Sequence, residues 1–144
     1  MTPQRVNFIT LGVAHLDRAR RFYAALGWRP AQEMERISFY QMPGQVLALF
    51  PLADLAEDQG RRGARLGTGA ITLAQNFASE AEVDAAHADA MAAGATELKA
   101  PQKVFWGGYS GYWADPDGHV WEMAMNPWSF PAADGSLTLD VGPA

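Results

Sequence analysis

The sequence predicts an α+β fold of two βαβββ modules, whose curled mixed sheets pair around a cup-shaped cavity. Three observations carry that expectation. The chain has 144 residues, 49% apolar and 19% charged, enough for a sizeable core without disulfide or metal staples. A strand, a helix and three short strands follow one another twice. The two copies keep a weak self-similarity, FITLGV with AALGW in the first mirroring TLAQNF with MAAGA in the second. Each copy buries one sheet face under its own helix, which leaves the other face to line a concave site.

The elements can be justified in order. Val6 to Val13 is apolar and β-branched enough for a buried strand. Leu16, Ala19, Phe22, Tyr23 and Leu26 recur at helical spacing, and Gly27 closes that helix. Trp28 to Met34, Arg36 to Met42 and Gln45 to Phe50 read as strands, the last two joined by a Pro43-Gly44 turn. Residues 51–67 form a linker with one short helix around Leu52 and Leu55, followed by the flexible stretch GRRGARLG. Ala70 to Phe77 opens the second copy. Ser79 with Glu82 makes a capping box for a helix whose apolar face is Val83, Ala86, His87, Ala90 and Met91, and which Gly94 ends. Leu98 with Gln102 to Phe105, Tyr109 to Ala114, and His119 to Met125 complete the set. A single domain over 1–144 is expected, with module 1 over about 5–50, module 2 over about 68–127 and a tail over 128–144. Trp128 and Phe130 in that tail are expected to pack back over the domain or onto a partner subunit.

Composition excludes several function classes. A net charge of −5 offers no basic stripe for a nucleic acid. The clusters Arg18, Arg20, Arg21 and Arg61, Arg62, Arg65 read as solvated faces. With no cysteine there is no thiolate chemistry, Cys-based zinc site or disulfide. The opening MTPQRVNFITLGV is too short an apolar run for a signal peptide or membrane span, so a cytoplasmic protein is expected.

The stretch Trp106 to Pro127, WGGYSGYWADPDGHVWEMAMNP, is the richest in chemistry. Asp115-Pro116-Asp117-Gly118 has the residues of a tight turn between two strands. Glu122 then interrupts the apolar run Val120 to Met125. Strand parity puts Val120, Glu122 and Ala124 on one face and His119, Trp121 and Met123 on the other.

Two segments, ITLGVAHLDRARRFYAALGW (Ile9 to Trp28) and GYWADPDGHVWEMAMNP (Gly111 to Pro127), resemble the vicinal oxygen chelate superfamily. That group includes glyoxalase I, extradiol dioxygenases, fosfomycin-resistance transferases and bleomycin-binding proteins. With the repeat, the resemblance covers Val6 to about Pro127. It implies the glyoxalase/bleomycin-resistance-like paired-module fold, and in metal-dependent members a divalent cation. That cation takes one ligand from the first strand of each repeat and an acid from the last strand. Glu122 matches the acid. The first-strand position falls on Phe8, and its counterpart on Thr72 or Leu73. Phenylalanine and leucine cannot coordinate a cation, and a threonine hydroxyl is a poor substitute for imidazole. The expectation is therefore no cofactor, with the family metal site lost.

Glu122 admits three readings: a solvated carboxylate or one paired to Arg5 or Arg36, a pocket acid that orients a ligand or acts as general base, or a metal ligand with other partners. The remaining candidates for ligand contact are Phe8, Thr72, Gln75, Trp106, Ser110 and Tyr112. Gln75 and Asn76 end their strand and could instead cap a turn, and Trp106 and Trp113 could be core. Family resemblance puts Ser110 and Tyr112 on the cup face, and Gly107 and Gly108 allow close backbone approach. His15, His87 and His119 are expected to be structural.

The leading expectation is a metal-independent binder of a small aromatic or cationic molecule, assembled as a homodimer, without nucleic-acid or membrane partners. The alternative is an enzyme of the same superfamily, a lyase, isomerase or dioxygenase using Glu122 as base or metal ligand. A third reading is a module whose cup is closed by its own aromatics and serves assembly alone.

Overall fold

Alternation of apolar and polar residues produces two four-stranded mixed sheets. The computed structural model describes residues 1–139, so the last residues of the expected tail, 140–144, lie outside the described residues. The chain divides into two compact units, one ending at Gly67 and the next beginning at Thr68.

The first unit contains β1 (Phe8–Val13), α1 (Leu16–Ala25), β2 (Gln32–Met34), β3 (Ile37–Met42), β4 (Gln45–Pro51) and α2 (Leu52–Asp58), with strand order β1-β4-β3-β2. The central strand β4 is parallel to β1 and antiparallel to β3. Its Leu47, Ala48 and Leu49 are buried, with strands on both edges of β4 and α1 and α2 packed against it. Ala19, Phe22 and Tyr23 of α1 recur three and four residues apart and form the helix's buried face. Arg20 ties this helix to the β2–β3 turn. Its guanidinium donates to the fully buried Ser38 hydroxyl at 2.7 Å and to the carbonyls of Met34 and Ile37, and it lies 3.0 Å from Glu33. A buried hydroxyl is thereby satisfied by a charge-assisted bond.

Only Gln32–Met34 of the expected Trp28 to Met34 strand is paired. Trp28 instead turns back on the helix end. Its amide donates to the Tyr23 carbonyl at 3.1 Å, and its ring stacks on Tyr23 with centroids 5.2 Å apart. Stacking captures a residue that a strand there would have exposed.

The second unit contains β5 (Thr72–Asn76), α3 (Glu80–Ala93), β6 (Thr96–Lys103), β7 (Tyr109–Ala114) and β8 (Val120–Met125), in strand order β5-β8-β7-β6. The capping box forms: Ser79 Oγ accepts from the Glu82 amide at 3.2 Å, and the Glu82 carboxylate accepts from the Ala78 amide at 2.9 Å. Gly94 ends α3 at φ 107°, a left-handed conformation costly for any residue with a Cβ. Val83, His87 and Ala90 are the buried residues of α3. The sheet's inner face is built on Trp113 stacked against Trp121 (5.7 Å, 15° between planes) with Met123 beside them. His87 is buried as expected, its Nε2 3.5 Å from the Glu97 carboxylate.

The Asp115–Gly118 turn forms as its residues demand. The buried Asp115 carboxylate accepts from the amides of Asp117 and His119, each at 2.9 Å, and Gly118 takes φ 92°. Strand β6 corrects the sequence reading. It runs unbroken from Thr96 through Pro101 to Lys103, with register shifts on both sides of Lys99, the second of them spanning the proline, while Phe105 lies beyond it and is fully exposed. Proline is tolerated here because β6 is an edge strand. The bulged backbone comes close to β7: a Cβ on Gly111 would lie 2.8 Å from the Pro101 nitrogen and 3.0 Å from the Lys99 carbonyl. No helix among the described residues is long and apolar enough to cross a membrane.

Candidate functional site

Pairing register sorts the polar residues of the second sheet by face. One rung crosses it as Lys99, Tyr112, Glu122 and Ala74. A neighbouring rung is Gln102, Ser110, Ala124 and Asn76, and on the other side stand Thr96, Ala114, Val120 and Thr72. Residues directly opposite one another share a face, so all of these lie on one side. The intervening rung of Glu97, Trp113, Trp121 and Leu73 carries the buried tryptophan pair, on the side that meets α3.

Glu122 is half-buried on the face opposite the tryptophans. Tyr112 stands directly opposite it on β7. Burial, and then the neighbouring Glu122 charge, push the Tyr112 phenol above its ordinary value, since each disfavours the phenolate. Among the described residues Glu122 has no ion-pair partner. Arg36, one cation expected to meet it, is held by Asp54 at 2.6 Å.

The other expected contact residues are distributed differently. Thr72, Ser110 and Tyr112 share the Glu122 face, although Ser110 is buried. Gln75 pairs with Met123, which puts it on the helix side. Its neighbour Asn76 takes the Glu122 side instead, because β5 begins at Thr72 and the side-chain period is two. Trp106 belongs to neither strand and is not core. At 37% exposure it lies in the β6–β7 loop with its indole across Gly108, where a Cβ would sit 2.0 Å from the ring. Trp128 meets it at 6.1 Å between centroids. Trp128 and Phe130 remain 58% and 52% exposed, while Ser129 between them is buried.

In the first unit, Phe8 is 57% exposed and meets Phe39 edge-on at 6.1 Å. It lies on the face of Thr10 and Ala48, away from the buried Leu11 and Leu49. Sequence reasoning did not find an open groove of about 450 Å³ lined by Arg36, Phe50, Asp54, Glu57 and Asp58. The acids of DLAED were its only trace in the sequence. Arg36–Asp54 and Arg62–Glu57 ion pairs already engage two of those acids.

The donor set does not fit a divalent cation. Phe8 has no lone pair to offer, Thr72 supplies a neutral hydroxyl, and the Glu122 carboxylate is flanked by a phenol and a methyl group. Among the described residues no three His, Cys, Asp or Glu side chains are grouped to hold a metal ion.

The fold has a counterpart in known proteins. The family model described as Glyoxalase/Bleomycin resistance protein/Dioxygenase superfamily matches residues 5–123, and the chain belongs to that superfamily. It is similar to a glyoxalase-related enzyme from Fulvimarina pelagi, with 41% identity over 95% of this chain and 99% of that one, at a TM-score of 0.89. A glyoxalase/bleomycin resistance protein/dioxygenase family enzyme from Burkholderia phytofirmans shares the fold at 17% identity and a TM-score of 0.73, over 83% of this chain and 96% of that one. A lactoylglutathione lyase from Agrobacterium tumefaciens does so at 22% and 0.67, over 88% and 97%. No curated protein matches the chain.

Proposed function

We propose that this chain is a metal-independent member of its superfamily that binds a small aromatic or cationic organic molecule, with Glu122 as the polar anchor. The observation that carries this reading is the setting of Glu122, a half-buried carboxylate that stands across the strand pair from Tyr112 and has no ion-pair partner among the described residues. A carboxylate on a partly desolvated sheet face attracts a cationic group more strongly than one in bulk water does. The exposed rings of Trp106 and Trp128 add aromatic surface, on which a cation gains roughly 0.5–2 kcal/mol. Assembly as a cytoplasmic homodimer belongs to the same reading, with Trp128 and Phe130 as apolar contact surface.

Tryptophan fluorescence tests it. Acridine orange, a flat cation, is expected to bind saturably, and Glu122→Gln to weaken it about tenfold, equivalent to ~1.4 kcal/mol. Equal affinity in parent and variant would overturn Glu122 as the anchor.

The 41% identity to a protein described as a glyoxalase-related enzyme favours a second reading, turnover with Glu122 as general base. It requires that Glu122→Gln abolish activity while leaving the fold intact.

A further inference from the structure

His87 is a buried titratable side chain whose ring nitrogens the fold leaves unused. It is 5% exposed on α3, and neither nitrogen makes a hydrogen bond. A buried ring N–H without an acceptor costs stability. The Glu97 carboxylate of β6 stands 3.5 Å from Nε2, on a side chain that is 46% exposed. Helix α3 packs against β6, β7 and β8, and other ionisable groups share that side of the sheet. Register puts Lys103 of β6 and Tyr109 of β7 there, and strand parity adds His119 just ahead of β8. On α3 itself Asp84 lies one turn before His87 and Glu80 a turn further back. The Asp84 carboxylate is taken by the Tyr109 hydroxyl at 2.6 Å. Glu97 also sits at a weak point of its strand. Thr96 and Glu97 pair with β7 and a register shift follows at once, with Leu98, Lys99 and Ala100 exposed beyond it.

We propose that His87 and Glu97 form a pH-operated clamp between α3 and the first residues of β6. When the ring takes a proton from solvent, both nitrogens become donors and the ring gains a charge opposite to that of Glu97. Imidazolium and carboxylate then close their 3.5 Å gap as a charge-assisted bond, stronger than any the neutral ring can make. Burial of the ring opposes protonation and the carboxylate favours it, so the clamp depends on the charge of Glu97. Histidine is the side chain that gains charge as pH falls from about 8 to about 5, so the clamp tightens in that direction. The strand it fixes borders the Glu122 face through Lys99 and Gln102. The clamp needs no ligand at Glu122 and stands whether or not one binds there.

The test is a double-mutant cycle on the full-length protein, read as urea midpoints at about pH 5.5 and about pH 8. Glu97→Gln is expected to lower the midpoint at the acid pH by at least about twice its effect at the alkaline one. In a His87→Gln background the same substitution should cost equally little at both. An equal loss from Glu97→Gln at both pH values overturns the clamp. So does a pH-dependent loss that persists in the double variant, since it would come from the other acids of the chain. If His87→Gln does not fold, hydrogen exchange of the parent and Glu97→Gln decides, read by mass spectrometry on a peptide covering 96–103. Corrected for intrinsic rates, protection of that peptide should rise severalfold in the parent between about pH 8 and about pH 5.5, and not in Glu97→Gln. The same rise in both proteins, or none in the parent, overturns the clamp.

Discussion

Tyr109 and Tyr112 lie on the same strand and face opposite sides of it, and each stands beside a carboxylate. Tyr109 donates to Asp84 on α3 at 2.6 Å, and that bond, with the neighbouring acids, pushes its phenol up to about 12. The bonded form is the neutral phenol, so its contribution to stability is complete below the ordinary value of 10.0 and is lost as pH rises through about 12. Tyr109→Phe is therefore expected to fall less steeply in Tm between those two pH values than the parent. Identical alkaline slopes would show that the bond contributes nothing to folding. Tyr112 lies across the strand pair from Glu122, on the side away from the helix.

At the scale of elements, the β6–β7 pair carries the most specific demand. Gly111 leaves room for the backbone of the proline-bulged edge strand, and neither the Pro101 nitrogen nor the Lys99 carbonyl can rotate away. Gly111→Ala is expected to destabilise the protein by roughly 1–3 kcal/mol, measurable as a shift in urea midpoint, because the added methyl meets backbone. An unchanged midpoint would mean that the bulge relaxes freely. This pair also marks where the sequence was hard to read. The capping box, the Gly94 terminus and the Asp115–Gly118 turn were legible because each is specified by residues adjacent in the chain. Strand β6 was not, since an exposed edge lacks apolar alternation and Pro101 resembles a break. The start of β5 is equally unmarked in composition, and a one-residue uncertainty there exchanges Gln75 for Asn76 on the Glu122 face. Trp106 was ambiguous because nothing local says that an indole will lie across a glycine in a loop.

For the whole molecule, the superfamily match establishes lineage and fold, while the chemistry depends on a few positions. The resemblance pointed to Phe8, to Thr72 or Leu73, and to Glu122 as the positions of the superfamily's metal ligands, and the structure places Glu122 half-buried across from Tyr112. A net charge of −5 favours approach of a cationic ligand and makes its association rate fall with added salt. The central claim is that this member works without a metal. Elemental analysis of the native protein, repeated after incubation with nickel, zinc, manganese or iron(II) and desalting, tests it most directly. The account predicts metal far below stoichiometric in every sample. Retention of roughly one equivalent per chain of any of these ions would contradict it, because a lone carboxylate does not hold a divalent cation through desalting.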